Sequence, residues 1–134
     1  MTWKSKRLFL AAAVALALVV AIYSINLQSL RHTHAMNMAQ AEQFKRDFEG
    51  RFAAGATLSS VEDYLQTRRL DFSHSMGWDE STKASYVREL MIVTARERSV
   101  EWGCGTVTVG VLAEFTPTQV LEKFRASWWS FDCL

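Results

Sequence analysis

The stretch Leu8–Ile25, LFLAAAVALALVVAIYSI, contains no charged residue, glycine or proline. As an α-helix, these 18 residues would extend over roughly 27 Å, close to the hydrocarbon thickness of a bilayer. Trp3 and Tyr23 lie near the two ends of the stretch, where amphipathic rings favour the membrane interface. The sequence therefore predicts a transmembrane signal anchor at residues 8–27, and a membrane is the first expected partner.

The residues on either side of this stretch indicate its direction. Residues 1–7 contain three basic residues and no acidic one, and basic flanks stay preferentially in the cytoplasm. We therefore expect a cytoplasmic flank at 1–7, a juxtamembrane collar at 28–34 and an extracytoplasmic domain at 35–134. In a bacterial envelope this corresponds to a single-pass inner-membrane protein with a periplasmic domain.

A cleaved signal peptide is the alternative interpretation of the same N-terminus. Ala15 and Ala17 have the small side chains of a cleavage site, but they lie deep inside the apolar stretch. Ile22 and Tyr23 lie at its end but are too bulky for such a site. The uncleaved anchor is therefore favoured, and cleavage would instead release the same domain into the periplasm.

The charge balance bears on the class of partner. Beyond residue 7 there are 12 basic and 14 acidic residues, a net charge of −2. Nucleic-acid binding depends on a basic surface that displaces counterions from phosphates. We therefore expect no nucleic-acid partner.

The chain has two cysteines, Cys104 and Cys133, and both lie in the part predicted to be exported. In an oxidising compartment such a pair predicts a disulfide. A redox pair would favour C-x-x-C spacing, and a zinc site would need two further ligands. We therefore predict a structural disulfide between these two residues.

Two segments show the apolar period of amphipathic helices. In residues 35–52 the apolar positions recur every three or four residues, at Ala41, Phe44, Phe48 and Phe52. The second segment runs from about residue 58 to residue 70, with an apolar face of Leu58, Val61, Tyr64 and Leu65. Thr57 is its predicted N-cap, and a capping box of Ser59 with Glu62 is the alternative.

The sequence after these helices predicts a loop and then strands. Asp71–Ser85 is polar and contains Gly77, which predicts a loop. Tyr86–Arg98 alternates and is rich in β-formers, so it predicts a strand, with a helix of the same length as the alternative. Thr106–Phe115 alternates more cleanly and predicts a second strand.

The segment Thr116–Gln119 allows two interpretations. With Pro117 at the second position of a β-turn, Val120–Ser130 becomes a third antiparallel strand; alternatively, the same four residues begin a helix. The strand is favoured because tryptophan prefers sheets and because the chain must bring Cys133 back to Cys104. The predicted fold is therefore α+β, an N-terminal transmembrane helix followed by two helices packed on a three-stranded antiparallel β-meander.

This order of elements resembles the small outer-membrane lipoprotein domains of the SmpA/OmlA (BamE) family, a layout shared by the repeats of β-lactamase inhibitory protein. The segment Gly55–Val61, GATLSSV, is similar to the Gly-x-Ser/Thr start of that family's second helix. Val107–Phe115 and the turn after it are similar to the family's central hairpin, so the resemblance covers roughly Phe44–Phe131. The chain departs from the family because it has no lipid-bearing cysteine and because residues 71–85 lack the usual Gly-Pro stop. The resemblance implies a small envelope domain that binds other proteins, and it carries over no functional residues.

The three histidines are the candidate metal ligands or catalytic groups. His32 and His34 are two positions apart, so on a helix they face different sides, and a solvated collar is favoured over a metal site. His74 lies between two serines without an identifiable partner, whereas catalysis needs a nucleophile, a base and an orienting group. We therefore expect no metal, no cofactor, no small-molecule substrate and no enzymatic activity.

Three tryptophans are candidate contacts for a protein partner, because tryptophan is enriched at interface centres. Trp78 lies in the predicted loop. Trp128 and Trp129 are adjacent, so in a strand they must face opposite sides of the sheet. One of the pair is therefore either a partner contact or a cover for the sheet edge or the disulfide.

These features favour a membrane-anchored module that binds another protein, in envelope assembly or scaffolding. The alternative is an inhibitor or immunity-type protein that blocks a secreted enzyme or toxin.

Overall fold

The computed structural model describes residues 3–99, 103–130 and 133. Two helices precede one antiparallel sheet with the strand order β1-β2-β3-β4. The helices are α1 (Trp3–Arg51) and α2 (Leu58–Thr67), and the strands are β1 (Phe72–Asp79), β2 (Ala84–Arg98), β3 (Thr106–Phe115) and β4 (Leu121–Trp129). The predicted α+β class is confirmed, but the sheet has four strands where three were expected.

The apolar stretch and the first helix of the domain form one continuous helix. α1 contains 49 residues, which corresponds to a length of about 73 Å. Its continuity follows from the sequence, because neither glycine nor proline occurs before Gly50, and these two residues weaken helix interiors most. The predicted collar at residues 28–34 is therefore helical and continues into the domain.

The N-terminal part of α1 stands clear of the domain. It contains an 18-residue window that is long and apolar enough to cross a membrane, and none of that window is buried within the chain. Membrane anchors and signal sequences share this length and composition.

The second half of α1 packs along the sheet. His34 lies beside Trp128 near the end of β4, whereas Phe48 stacks on Phe124 near its start, with the ring centroids 5.5 Å apart. α1 therefore runs antiparallel to β4. Ala41 and Phe48 are buried, as the period of apolar residues predicted.

α2 closes the same face of the sheet. The Thr57 hydroxyl oxygen accepts a hydrogen bond from the Ser60 amide at 3.3 Å, so Thr57 is the N-cap. Arg68 is the C-cap and the next residue, Arg69, has a positive φ of 54°, which ends the helix before the expected residue 70. Val61 and Leu65 are buried.

The segment predicted as a loop, Asp71–Ser85, contains strand β1, and the prediction was wrong. Phe72–Asp79 pairs with β2, and residues 80–83 alone form the turn. The carboxylate of Asp79 accepts hydrogen bonds from the Ser81 hydroxyl (2.7 Å), the Ser81 amide (2.9 Å) and the Thr82 hydroxyl (2.8 Å). These bonds, the one from the Ser81 hydroxyl first, lower the pKa of Asp79, so the carboxylate that holds the turn stays ionised.

The other strands agree with the sequence more closely. β3 has the predicted bounds, and β2 begins two residues earlier than predicted. Leu121–Trp129 is a strand, so the β-turn interpretation of residues 116–119 is confirmed. In that turn the Gln119 amide donates to the Thr116 carbonyl at 2.9 Å.

The core lies between the two helices and one face of the sheet. Its buried members are Phe48, Val61, Leu65, Leu90, Ile92, Val111, Ala113, Phe115, Leu121 and Phe124. Cys104 and Cys133 pair in an isolated β-bridge outside the four strands. Their sulfur atoms are bonded at 1.96 Å. The predicted pairing of the two cysteines is therefore present in the structure.

Candidate functional site

Part of the β1–β2 hairpin extends beyond the rest of the sheet. β1 pairs with β2 as far as the Asp79–Ala84 pair, whereas β3 pairs with β2 only from Glu89 onward. Residues 76–87 therefore form a two-stranded projection, which we call the hairpin arm. It lies at the opposite end of the sheet from the disulfide.

The hairpin arm carries two large exposed apolar side chains. Met76 is 54% exposed and Trp78 is 56% exposed. They alternate along β1 with Gly77, where an added Cβ would lie 2.9 Å from ring atoms of Tyr86. Tyr86 therefore lies on one face of the arm, and Met76 and Trp78 lie on the other.

The outer edge of β1 is open. The Val93 amide donates to the Asp71 carbonyl at 2.8 Å, and antiparallel hydrogen bonds alternate along a strand. The N–H and C=O groups of Phe72 and His74 therefore point away from β2. Within residues 3–99, 103–130 and 133, no backbone group pairs with this edge.

The two edges of the sheet differ in chemistry. Phe72–Trp78 contains no Lys, Arg, Asp, Glu or Pro, the residues that block unwanted pairing at sheet edges. The opposite edge, β4, carries Glu122, Lys123 and Arg125. The edge at β1 therefore lacks the protection that the edge at β4 has.

His74 has a partner that sequence reasoning missed. Its Nε2 lies 2.6 Å from Oε1 of Glu62, which links β1 to α2. The expectation that His74 has no partner was wrong, because the contact joins two elements whose packing the sequence does not show. The two acidic residues nearest to the ends of β1 have other partners: Asp71 contacts Arg96 at 2.5 Å, and Asp79 holds the turn after the strand.

A second polar cluster lies at the disulfide end of the sheet. The Glu97 carboxylate accepts hydrogen bonds from Nδ1 of His34 and Nδ2 of Asn37, and its side chain is 5% exposed. The His34 ring meets Trp128 edge-on, with the centroids 6.2 Å apart. The cluster fixes α1 to β2 and β4.

The expectation of a solvated collar at both histidines was therefore half wrong. His34 belongs to the packed face of α1, whereas His32 is exposed. The signal for this was the seven-residue step from His34 to Ala41 and on to Phe48, which places all three on one helix face. Among the described residues, no group of three or more His, Cys, Asp and Glu side chains forms a metal site.

The face of the sheet opposite the helices carries charged side chains that form ion pairs with one another. Glu89 and Glu114 are bridged by Arg125, at 3.8 Å and 3.1 Å. Arg88 and Lys123 add one further ion pair each. Leu112 lies on this face, next to Val111 of the core, and is still buried. This network covers the face that two helices leave open.

The structure separates the three candidate tryptophans. Trp128 is 40% exposed on the helix-covered face, beside His34. Trp129 is partly buried on the other face, where its ring lies close to Gly110. Trp78 lies on the hairpin arm. The candidate site consists of the exposed side chains of this arm and the open edge of β1. A partner contact at any of the three stays a prediction.

No family model, no curated protein and no solved structure matches this chain. The resemblance to the SmpA/OmlA domains stays a prediction.

Proposed function

We propose that this chain is a single-pass inner-membrane protein that binds a partner protein in the periplasm through its hairpin arm. Its N-terminus is cytoplasmic, and the domain is a non-enzymatic module of envelope assembly or scaffolding. The observation that carries the proposal is the exposed pair Met76 and Trp78 on an arm that projects beyond the sheet.

The direction of α1 supports a partner at this position. The helix enters the domain at the disulfide end and ends at the other, where the hairpin arm lies. From Ile25 to Arg51 it rises by about 40 Å. In this geometry the arm is held well away from the bilayer surface, so its apolar side chains are available to a protein and not to lipid.

The residue types support the same conclusion. The interface residues whose truncation costs about 2 kcal/mol or more of binding free energy are enriched in tryptophan, and methionine adapts to irregular surfaces. Neither Met76 nor Trp78 belongs to the buried core. The two side chains are therefore not needed for packing within the chain.

Photo-crosslinking in native membranes tests the proposal. A benzoylphenylalanine in place of Trp78 keeps an aromatic ring in the full-length protein, and the same replacement of Trp128 is the control at the other end of the sheet. We expect position 78 to form an adduct with one exported protein, identified by mass spectrometry, and position 128 to form none with it. Equal adducts from the two positions, or none from position 78, would refute the proposal.

A further inference from the structure

We propose that the partner binds as an extended segment that adds a strand to the sheet along the open edge of β1. This inference rests on the proposed function and specifies how the hairpin arm recognises its partner. It names the kind of ligand, a stretch of another protein in β conformation.

The backbone of β1 offers the hydrogen bonds that such a strand requires. The N–H and C=O groups of Phe72 and His74 point outward, as the bond from the Val93 amide to the Asp71 carbonyl implies. Strand addition derives its affinity from main-chain bonds of this kind, and its specificity from alternate side chains.

The chemistry of this edge favours its use in pairing. Natural proteins protect free edges with charges, prolines or covering elements. β4 has three charged residues in the segment Leu121–Arg125, and α1 packs against it. Phe72–Trp78 has neither a charge nor a proline, and the bulge in its pairing with β2 places the extra residue, Arg88, in β2 and not in the edge strand. The edge at β4 is therefore protected, whereas the edge at β1 is open.

The side chains of β1 indicate what the added segment contains. On one face it would run beside Met76 and Trp78, and apolar residues would pack there. On the other face its neighbours would be Ser73, Ser75 and Gly77, which leave room for large side chains. The expected ligand is therefore an alternating segment with apolar residues on one side and no charge at its centre.

A second copy of this chain does not fit the edge as well. β1 runs antiparallel to β2, as β4 does to β3 and β3 to β2, so β1 and α1 run in the same direction. Antiparallel pairing of two β1 strands would point the two α1 helices in opposite directions, which two anchors in one membrane forbid. Parallel pairing is the less stable alternative, so the occupant is a segment of another protein.

Two substitutions at one position separate backbone pairing from side-chain contact. His74→Pro removes the outward N–H, and proline is tolerated in an edge strand when its nitrogen faces away from the sheet. His74→Ala keeps the N–H and removes the ring and its contact with Glu62. The readout is the yield of the adduct formed by benzoylphenylalanine at position 78, in the full-length protein in native membranes.

We expect His74→Pro to lower the adduct yield by about tenfold and His74→Ala to change it by less than about twofold. Met76→Lys is a second variant, because Met76 is exposed and a charge on an edge strand opposes pairing; it should also lower the yield by about tenfold. Melting temperatures of all three variants show whether the fold is retained.

Three results would overturn the inference. An unchanged yield in both His74→Pro and Met76→Lys would exclude strand addition and leave the proposed function intact. An equal loss in His74→Pro and His74→Ala would indicate recognition by side chains. The absence of an adduct in the unmodified background would refute the proposed function together with the inference.

Discussion

At Gly110 the space for a side chain is already occupied. An added Cβ would lie 1.9 Å from the carbonyl oxygen of Ile92 and 2.9 Å from Cη2 of Trp129. The absence of a side chain allows the neighbouring strand and the Trp129 ring to approach closely. The glycine in the middle of a valine-rich strand, which sequence reasoning left without a role, therefore has a packing function.

We expect Gly110→Ala to lower the free energy of unfolding by about 2 kcal/mol or more, because backbone must move to admit the methyl group. Denaturant unfolding measures this loss. Gly105→Ala is the matched control, since nothing lies within 4 Å of its added Cβ; its effect should be less than about 0.5 kcal/mol. Equal stability of the two variants would contradict this account of Gly110.

Trp78 is expected to matter for binding and not for folding. Trp78→Ala should leave the melting temperature unchanged, because the side chain is exposed. It should weaken binding of the crosslinked partner by about tenfold or more, since the interface residues with effects of this size are enriched in tryptophan. Pull-down of that partner from solubilised membranes measures the loss, and Trp128→Ala, which should retain binding, is the control. A large drop in the melting temperature of Trp78→Ala would place the residue in the fold instead.

The histidine contacts could not be predicted from the sequence, for a physical reason. Glu97 lies 63 residues from His34, and Glu62 lies 12 residues from His74. Both pairs depend on where a helix packs across a sheet. A local pattern carries no information about that placement.

Among the strands, those whose apolar and polar residues alternate more regularly were predicted more accurately. β3 was predicted with its bounds because its apolar residues alternate without interruption. β1 was missed because Ser73, Ser75 and Gly77 read as turn residues, although they are simply the small side chains on one face of an edge strand. The helical conformation of residues 28–34 was not predicted, because their polar side chains suggested a collar, yet nothing there breaks a helix.

Two His–Glu pairs, one between α1 and β2 and the other between β1 and α2, give a prediction about stability. Glu97→Ala removes a buried carboxylate with two hydrogen-bond donors and should lower the free energy of unfolding by about 2 kcal/mol. Glu62→Ala removes a more exposed partner, whose side chain is 25% exposed, and should cost less than about 1 kcal/mol. Denaturant unfolding of the two variants decides whether the cluster at Glu97 fixes the helix; an equal cost would contradict this.

The disulfide ties the end of the chain to the start of β3. Its cysteines are 29 residues apart, and closing a loop of this size should stabilise the domain by about 3–4 kcal/mol. The double variant Cys104→Ser/Cys133→Ser should lose this amount in denaturant unfolding at neutral pH. Reductant should have no further effect on it but should destabilise the unmodified protein. Identical stability of the two proteins would show that the bond does not constrain the unfolded chain.

For the whole molecule, the central claim is that α1 is a single helix and that it runs from a membrane into an exported domain. Two conclusions follow from it: the hairpin arm lies well away from the bilayer surface, and β1 cannot pair antiparallel with β1 of a second copy. If the N-terminal segment were cleaved, the arm would be free to approach partners from any direction. The open edge of β1 would remain, but antiparallel pairing with a second copy of the chain would no longer be excluded.

The intact mass of the protein purified from the membrane fraction under non-reducing conditions tests this central claim most directly. We predict a mass that includes residues 3–7 and that falls by two hydrogens relative to the reduced chain, because the anchor is retained and Cys104 is bonded to Cys133. A mature chain that begins near Ile25, or one with two free thiols, would contradict the account.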